Sequence, residues 1–257
     1  MCELSGLSTI AESIEDLFES IVAGKFTKDG SKLIVVDFIC KNNANLTSLV
    51  RVPQLVSGTF YCQNNANLIS LEGAPRIIGK EFWCQNNASL TSLAGAPQSV
   101  GHEFNCWDND NLTSLEGAPK TVGEGFYCWD NDRLTSLVGG PLSVGGYFYC
   151  HDNASLTSLE GAPQSVGKGF YCRDNPRLTS LTNINLYTYS INGGLADFAG
   201  CPIKSNILGL LKIQGLRRVI FDDQKLTSIM NKYLPLGSST DCAAELINEG
   251  YAEWAKW

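Results

Sequence analysis

The sequence predicts an α/β solenoid of about seven 22-residue coils with a parallel sheet on one face, a capping helix before it and a small helical cap after it. Three observations carry that reading. A cysteine returns without a gap at Cys40, Cys62, Cys84, Cys106, Cys128, Cys150 and Cys172. A phenylalanine stands two places before each cysteine, from Phe38 to Phe170, and an asparagine three places after, from Asn43 to Asn175. Two leucine columns, Leu46 to Leu178 and Leu49 to Leu181, keep the same register. A fixed period of this length means coils that each bury their apolar face against a neighbour.

Residues 1–33 form the lead-in. Ser8 or Thr9 can cap a helix in which Ile10, Ile14, Leu17, Phe18 and Ile21 recur at helical spacing, and Gly24 ends it. Such a helix supplies the polar cover that a terminal coil needs. Lys32 to Phe38 reads as a strand running into the first cysteine.

Residues 34–185 form the solenoid. In each coil x-F-x-C-x is a short strand, and alternation places Phe and Cys on one face. The asparagine turns its amide inward, where it can bond backbone groups of its own turn and of the next coil. Leu-Thr-Ser-Leu returns apolar side chains to the core, and Gly-Ala-Pro turns the chain. A Val/Ile column (Ile34, Val56, Ile78, Val100, Val122, Val144, Val166) closes the coil and is followed by glycine from Gly79 onward.

Residues 186–257 form the C-terminal module. The period fails after Leu181, and Leu186 to Ile191 keeps strand character. Ser205 can cap a helix from Asn206 to Ile213, stopped by Gly215. A strand follows at Arg217 to Phe221, then a helix capped by Asp222 or Asp223 and reaching Tyr233. A last helix, capped by Thr240 or Asp241, runs from Cys242 to about Lys256.

The unit F-x-C-x-x-N-x-x-L-T-S-L-x-G-A-P resembles a leucine-rich repeat, whose hallmark is L-x-x-L-x-L-x-x-N-x-L. Phe and Cys stand at two of the leucine positions, the asparagine matches, and one extra residue precedes the next leucine. More narrowly, L-T-S-L-E-G-A-P with F-Y-C, and the tail from Cys201 to Pro235, look like the leucine-rich-repeat proteins of large tailed bacteriophages. That resemblance implies a virus-encoded protein acting in the cytoplasm of an infected bacterium on a host protein, in a role such as countering a host defence. It carries no established activity with it.

The charges, 19 basic against 26 acidic for a net of −7, argue against a nucleic-acid backbone and against an anionic membrane surface as partners. Residues 1–30 place acidic side chains where a secretory leader has a basic start and an apolar run, which points to a cytoplasmic protein. There the ten cysteines are reduced thiols. Stacked strands ~4.8 Å apart bring neighbouring cysteines within reach of a disulfide. Seven equivalent members cannot all pair, however, and no C-x-x-C cluster suggests a metal. Small apolar thiols stacked in the core are the better reading.

Function is expected on the strand face that points away from the core. One outward column runs Ile39, Tyr61, Trp83, Asn105, Tyr127, Tyr149, Tyr171, and a second runs Lys41, Gln63, Gln85, Trp107, Trp129, His151, Arg173. Core columns barely vary between coils, whereas these hold the variety. Aromatic rings exposed in one patch mark a binding surface, although they also stabilise a sheet by stacking along it. A third column turns from Asn42, Asn64 and Asn86 to Asp108, Asp130, Asp152 and Asp174. These carboxylates suit turn positions without any metal, and flanking an aromatic patch they select a basic partner. The expected partner-binding set is Tyr61, Trp83, Trp107, Asp108, Tyr127, Trp129, Asp130, Tyr149, His151, Tyr171 and Arg173.

No catalytic residue, metal ligand or cofactor is expected. His102 sits on the loop before a strand, His151 lies on the face opposite its neighbour Cys150, and no phosphate loop or hydrolase motif occurs. The tail cysteines Cys201 and Cys242 sit in a segment too short for a ligase domain. Protein binding is the leading reading. A sugar or nucleotide stacked on Trp83, Trp107 and Trp129 is the second, and self-assembly into a homo-oligomer is the third.

Overall fold

The computed structural model describes residues 3–4, 28–29, 32–33, 37–50, 52–182, 184, 190–192 and 194–255. The helix expected between Ser8 and Gly24 lies outside the described residues. Within them the chain is a parallel β-solenoid. Nine parallel strands, from Phe38–Ile39 through Phe60–Tyr61 and onward to Arg218–Ile220, define about eight turns. Glu3–Leu4 joins as a tenth strand, antiparallel to Phe38–Ile39. The register is strict: Phe82 stands opposite Phe104, and Phe104 opposite Phe126.

The expectation of one sheet was incomplete. The Val/Ile column builds a second, seven-stranded parallel sheet, from Leu55–Val56 to Ser190–Ile191. The glycine after each Val/Ile makes this possible. The Gly101 N–H donates to the Ile78 carbonyl at 3.0 Å, and a Cβ on Gly101 would lie 2.0 Å from the carbonyl oxygen of Gly79. Only glycine lets the coils approach that closely. Lys32 to Phe38 is also not one strand. Lys32–Leu33 pairs antiparallel with Lys28–Asp29, and the solenoid strand begins at Phe38.

Between the sheets lies the core. The ladder phenylalanines and cysteines are buried, as are both leucine columns. In-register pairing puts each Phe ring over the next at 5.2–5.6 Å with planes 5–16° apart. The asparagines form the expected ladder. Asn87 Oδ1 accepts from the Asn65 N–H at 2.8 Å, while Asn87 Nδ2 donates to the carbonyls of Cys84 and Cys62 at 2.8 and 3.1 Å. Each buried amide thus joins two coils and satisfies peptide groups that neither sheet pairs.

Past Leu181 the first sheet continues, with Ala196 opposite Phe170 and Val219 opposite Ala196. Large and small residues exchange places there. Ala196 and Val219 take the Phe column, whereas Phe198 and Phe221 take the Cys column, so core volume is conserved. Cys201 replaces the ladder asparagine and donates its thiol to the Cys172 carbonyl at 2.9 Å. The last strand has no further coil beside it. Asn231 instead accepts from the Val219 N–H at 2.7 Å and donates to the Val219 carbonyl at 3.0 Å. Thr227 does the same for Phe221 at 3.0 and 3.1 Å.

Both side chains belong to the helix Gln224–Tyr233, whose first turn is capped by the Asp223 carboxylate as expected. Two other expectations fail. Ser205 does not cap the next element. That element is a 3-10 helix, Ile207–Lys212, led by Asn206 in a left-handed conformation, and Ser205 bonds Ser180 instead. The last helix is Ser239–Asn248, so Asp241 lies in its first turn rather than before it.

Candidate partner-binding face

The ladder spacing, ~4.8 Å between paired strands, is close to the distance at which flat rings stack. Like residues in one outward column therefore lie face to face. Trp107 stacks on Trp129 at 4.4 Å, and Trp129 on His151 at 5.3 Å. Beside them Tyr127 stacks on Tyr149 at 5.1 Å, and Tyr149 on Tyr171 at 4.6 Å. Tyr149 meets His151 edge-on at 5.8 Å, which ties the two stacks into one aromatic pavement.

Tyr147 belongs to the same pavement, and sequence reasoning missed it. It lies at 5.8 Å from Tyr149 and 5.9 Å from Tyr171, with the Lys168 ammonium 5.2 Å from its ring centre. Alternation was the available signal, since Tyr147, Tyr149 and His151 share one face. The glycines beside it in its column are required by this packing. A Cβ on Gly125 would lie 2.4 Å from the Tyr127 ring, and one on Gly169 would lie 3.0 Å from the Tyr171 ring.

The expected set divides in two. Trp107, Tyr127, Trp129, Tyr149, His151 and Tyr171 are half-buried and contiguous. Tyr61 and Trp83 form a separate pair, tilted by 36° at 6.1 Å, with Lys41 over the outer ring. Asn105 and Gln85 interrupt the columns between the two groups, and both are buried although they lie on the outward face. Because Trp129 carries Trp107 on one face and His151 on the other, it presents an edge rather than an open platform for a flat ligand.

The acidic row has a backbone cause. Asn42, Asn64, Asn86, Asp108, Asp130, Asp152 and Asp174 all have φ between 53° and 61°. Among L-residues Asn and Asp adopt this region most readily. Gly200, with φ at 72°, takes the position one coil later. The row still concentrates negative charge. Partial burial, then the neighbouring Asp110 and Asp130, holds the Asp108 carboxyl above its usual range. Burial, then Asp132, Asp152 and Asp110, does the same to Asp130, while His151 pulls it back down. Asp152 contacts His151 Nδ1 at 2.6 Å, and exposed Arg173 lies 3.7 Å from Asp174.

Tyr127 bonds Glu103 at 3.2 Å, and burial together with that carboxylate raises its phenol. The cysteines of the described residues, Cys40 to Cys242, are buried. Burial pushes the thiols of Cys84, Cys106, Cys128, Cys150 and Cys172 upward. A buried neutral thiol is no nucleophile.

Among the described residues no group of three His, Cys, Asp or Glu could hold a metal ion, and no helix is long and apolar enough to cross a membrane. An open crevice of about 730 Å³ lies on the turn side of the third and fourth coils, lined by Ala94, Ala96, Pro97, Glu116, Ala118 and Lys120. Its lining shares no residue with the aromatic pavement. Fold and face together define a parallel β-solenoid with an ordered aromatic, acid-edged outer sheet. Compared with protein-family models, curated proteins and solved structures, the chain finds no match.

Proposed function

We propose that the chain is a non-enzymatic protein-binding solenoid whose outer sheet face is the interaction surface. The carrying observation is the pavement of Trp107, Trp129, His151, Tyr127, Tyr149 and Tyr171, with its rings held by stacking and its edges turned outward. Rings already fixed lose little entropy on binding, and Tyr and Trp give large contact area. The row from Asp108 to Asp174 beside it favours a basic partner surface.

We read the coils as leucine-rich-repeat-like on the F-x-C-x-x-N-x-x-L pattern. The segment after Leu181 we read as a cap, because Asn231 and Thr227 take up the last strand's backbone groups. The resemblance to bacteriophage repeat proteins makes a bacterial host protein the partner we propose, reached in the host cytoplasm. That step is analogy, since fold alone does not fix function.

The test is an affinity capture from bacterial lysate with the wild type beside the double variant Trp107→Ala/Trp129→Ala. The expected result is a protein recovered with the wild type and absent with the variant. Removing two ring contacts costs about 1–3 kcal/mol, so the variant stays folded and its melting curve shows it. Equal recovery with both proteins would refute the assignment of the surface.

A further inference from the structure

We propose that the outer face of the second to fourth coils holds a binding site for a neutral saccharide, built from Gln63, Trp83, Gln85 and Asn105. The starting observation is a set of unmet hydrogen bonds. Gln63 Oε1, Gln85 Oε1, Trp83 Nε1 and Asn105 Nδ2 are enclosed and have no partner. Gln63, Gln85 and Asn105 are 7, 5 and 4% exposed, so water does not compensate them freely. Buried polar groups in folded proteins are nearly always paired, and each exception calls for a cause.

The four groups form one patch. Asn105 stands opposite Trp83 in the strand register. Gln85 follows Trp83 by two residues and shares its face. Gln63 holds the same position one coil back, where the Asn64 N–H donates to the Gln85 carbonyl at 3.1 Å. All four lie on the sheet surface that faces away from the Phe and Cys columns, so none of them serves the core.

The chemistry of the patch selects its ligand. It presents two acceptors and two N–H donors and no formal charge among its four members, which disfavours an ionic ligand. Sugar hydroxyls each donate and accept, and planar amides bond them in pairs. Trp83 supplies the apolar part. It differs from Trp129, which lies between Trp107 and His151, in not being sandwiched: Tyr61 is tilted against it, and the coil on its other side offers Asn105 rather than a ring. Geometry separates a glycan from a peptide. Coils repeat every ~4.8 Å, whereas an extended peptide advances ~3.4 Å per residue and drifts out of register across them. Rings of an extended glycan repeat at close to the coil spacing, so one ring meets one coil. Entry requires these enclosed side chains to rotate outward from the sheet face.

The test titrates cellohexaose, chitohexaose, maltohexaose and mannohexaose into the full chain, followed by calorimetry and tryptophan fluorescence. At least one is expected to bind the wild type. Gln85→Leu and Asn105→Leu are each expected to weaken it by about tenfold or more. Both variants are also expected to melt no lower than the wild type without saccharide, because the amide removed had no partner. Failure of all four saccharides to bind would overturn the site, as would undiminished binding by both variants. A clear drop in melting temperature for both variants would also overturn it, by showing the amides already satisfied in the free protein. If no saccharide binds while capture through Trp107 and Trp129 persists, this site is overturned and the protein-binding proposal stands.

Discussion

Each coil position answers to one physical demand, and the demands separate under mutation. Phe126 sits fully buried between Phe104 and Phe148. Phe126→Ala is expected to cost about 3–5 kcal/mol by denaturant unfolding, without altering the outer face. Asp130 answers instead to a backbone angle, with φ at 55°. Its raised carboxyl pKa means that ionisation is less favourable in the folded state than in the unfolded one. Asp130→Asn keeps the conformation and removes the charge, so it should stabilise at neutral pH by about 0.2–1 kcal/mol, less at high salt. The gain should vanish as pH falls through the folded carboxyl's raised pKa, where the wild type is itself neutral. Melting curves at pH 7 and pH 3 would check both halves. The Asn-to-Asp column was visible in the sequence, but its cause was not. A left-handed angle leaves no mark except the choice of Asn, Asp or Gly, and Gly200 completes that pattern only once the irregular coil after Leu181 is aligned.

At the scale of elements, the strict register made the first sheet legible from Phe, Cys and Asn alone, because each of those columns is nearly invariant. The second sheet was hidden because each of its strands sends a single residue, the Val or Ile, into the core, where the first sheet has a Phe and a Cys. In pairs such as Ser99–Val100 and Ser143–Val144 only the valine is buried, so no apolar alternation marks the strand. The two irregular coils were hidden by compensation. Phe198 in the Cys column and Ala196 in the Phe column preserve volume but erase the motif. The final strand owes its hydrogen bonds to Asn231 and Thr227. Asn231→Ala should cost about 1–3 kcal/mol, the penalty for orphaned buried groups. It should also speed amide hydrogen exchange at Val219 before any change appears at Phe104. Uniform exchange along the chain would mean that this edge is not what Asn231 protects. The pavement was foreseen as one patch, yet it is divided by Asn105 and Gln85. Whether a residue on the outer face is enclosed depends on its neighbours' side chains, which a column of letters does not show.

Over the whole molecule, the thiol column couples stability to pH. Cys84, Cys106, Cys128, Cys150 and Cys172 have folded pKa values above the usual 9.0, with burial the largest cause. The unfolded chain ionises these thiols near 9.0 while the folded chain keeps them protonated. Their contribution is fully present below that value and is lost as pH rises through it toward the folded values. Each thiol should steepen the loss by about 1.4 kcal/mol per pH unit. Cys106→Ala should flatten the alkaline slope measurably in urea unfolding between pH 8 and pH 10.5. Function, by contrast, is assigned to one face of the solenoid and not to its core. The most direct test places a photo-crosslinking benzoylphenylalanine either at Tyr147, on the pavement, or at Thr157, on the exposed Leu-Thr-Ser-Leu side. Each protein is irradiated in bacterial lysate. A crosslinked protein from position 147 and none from position 157 is the predicted result. The same protein crosslinked from 157 and not from 147 would contradict the assignment of binding to the aromatic face.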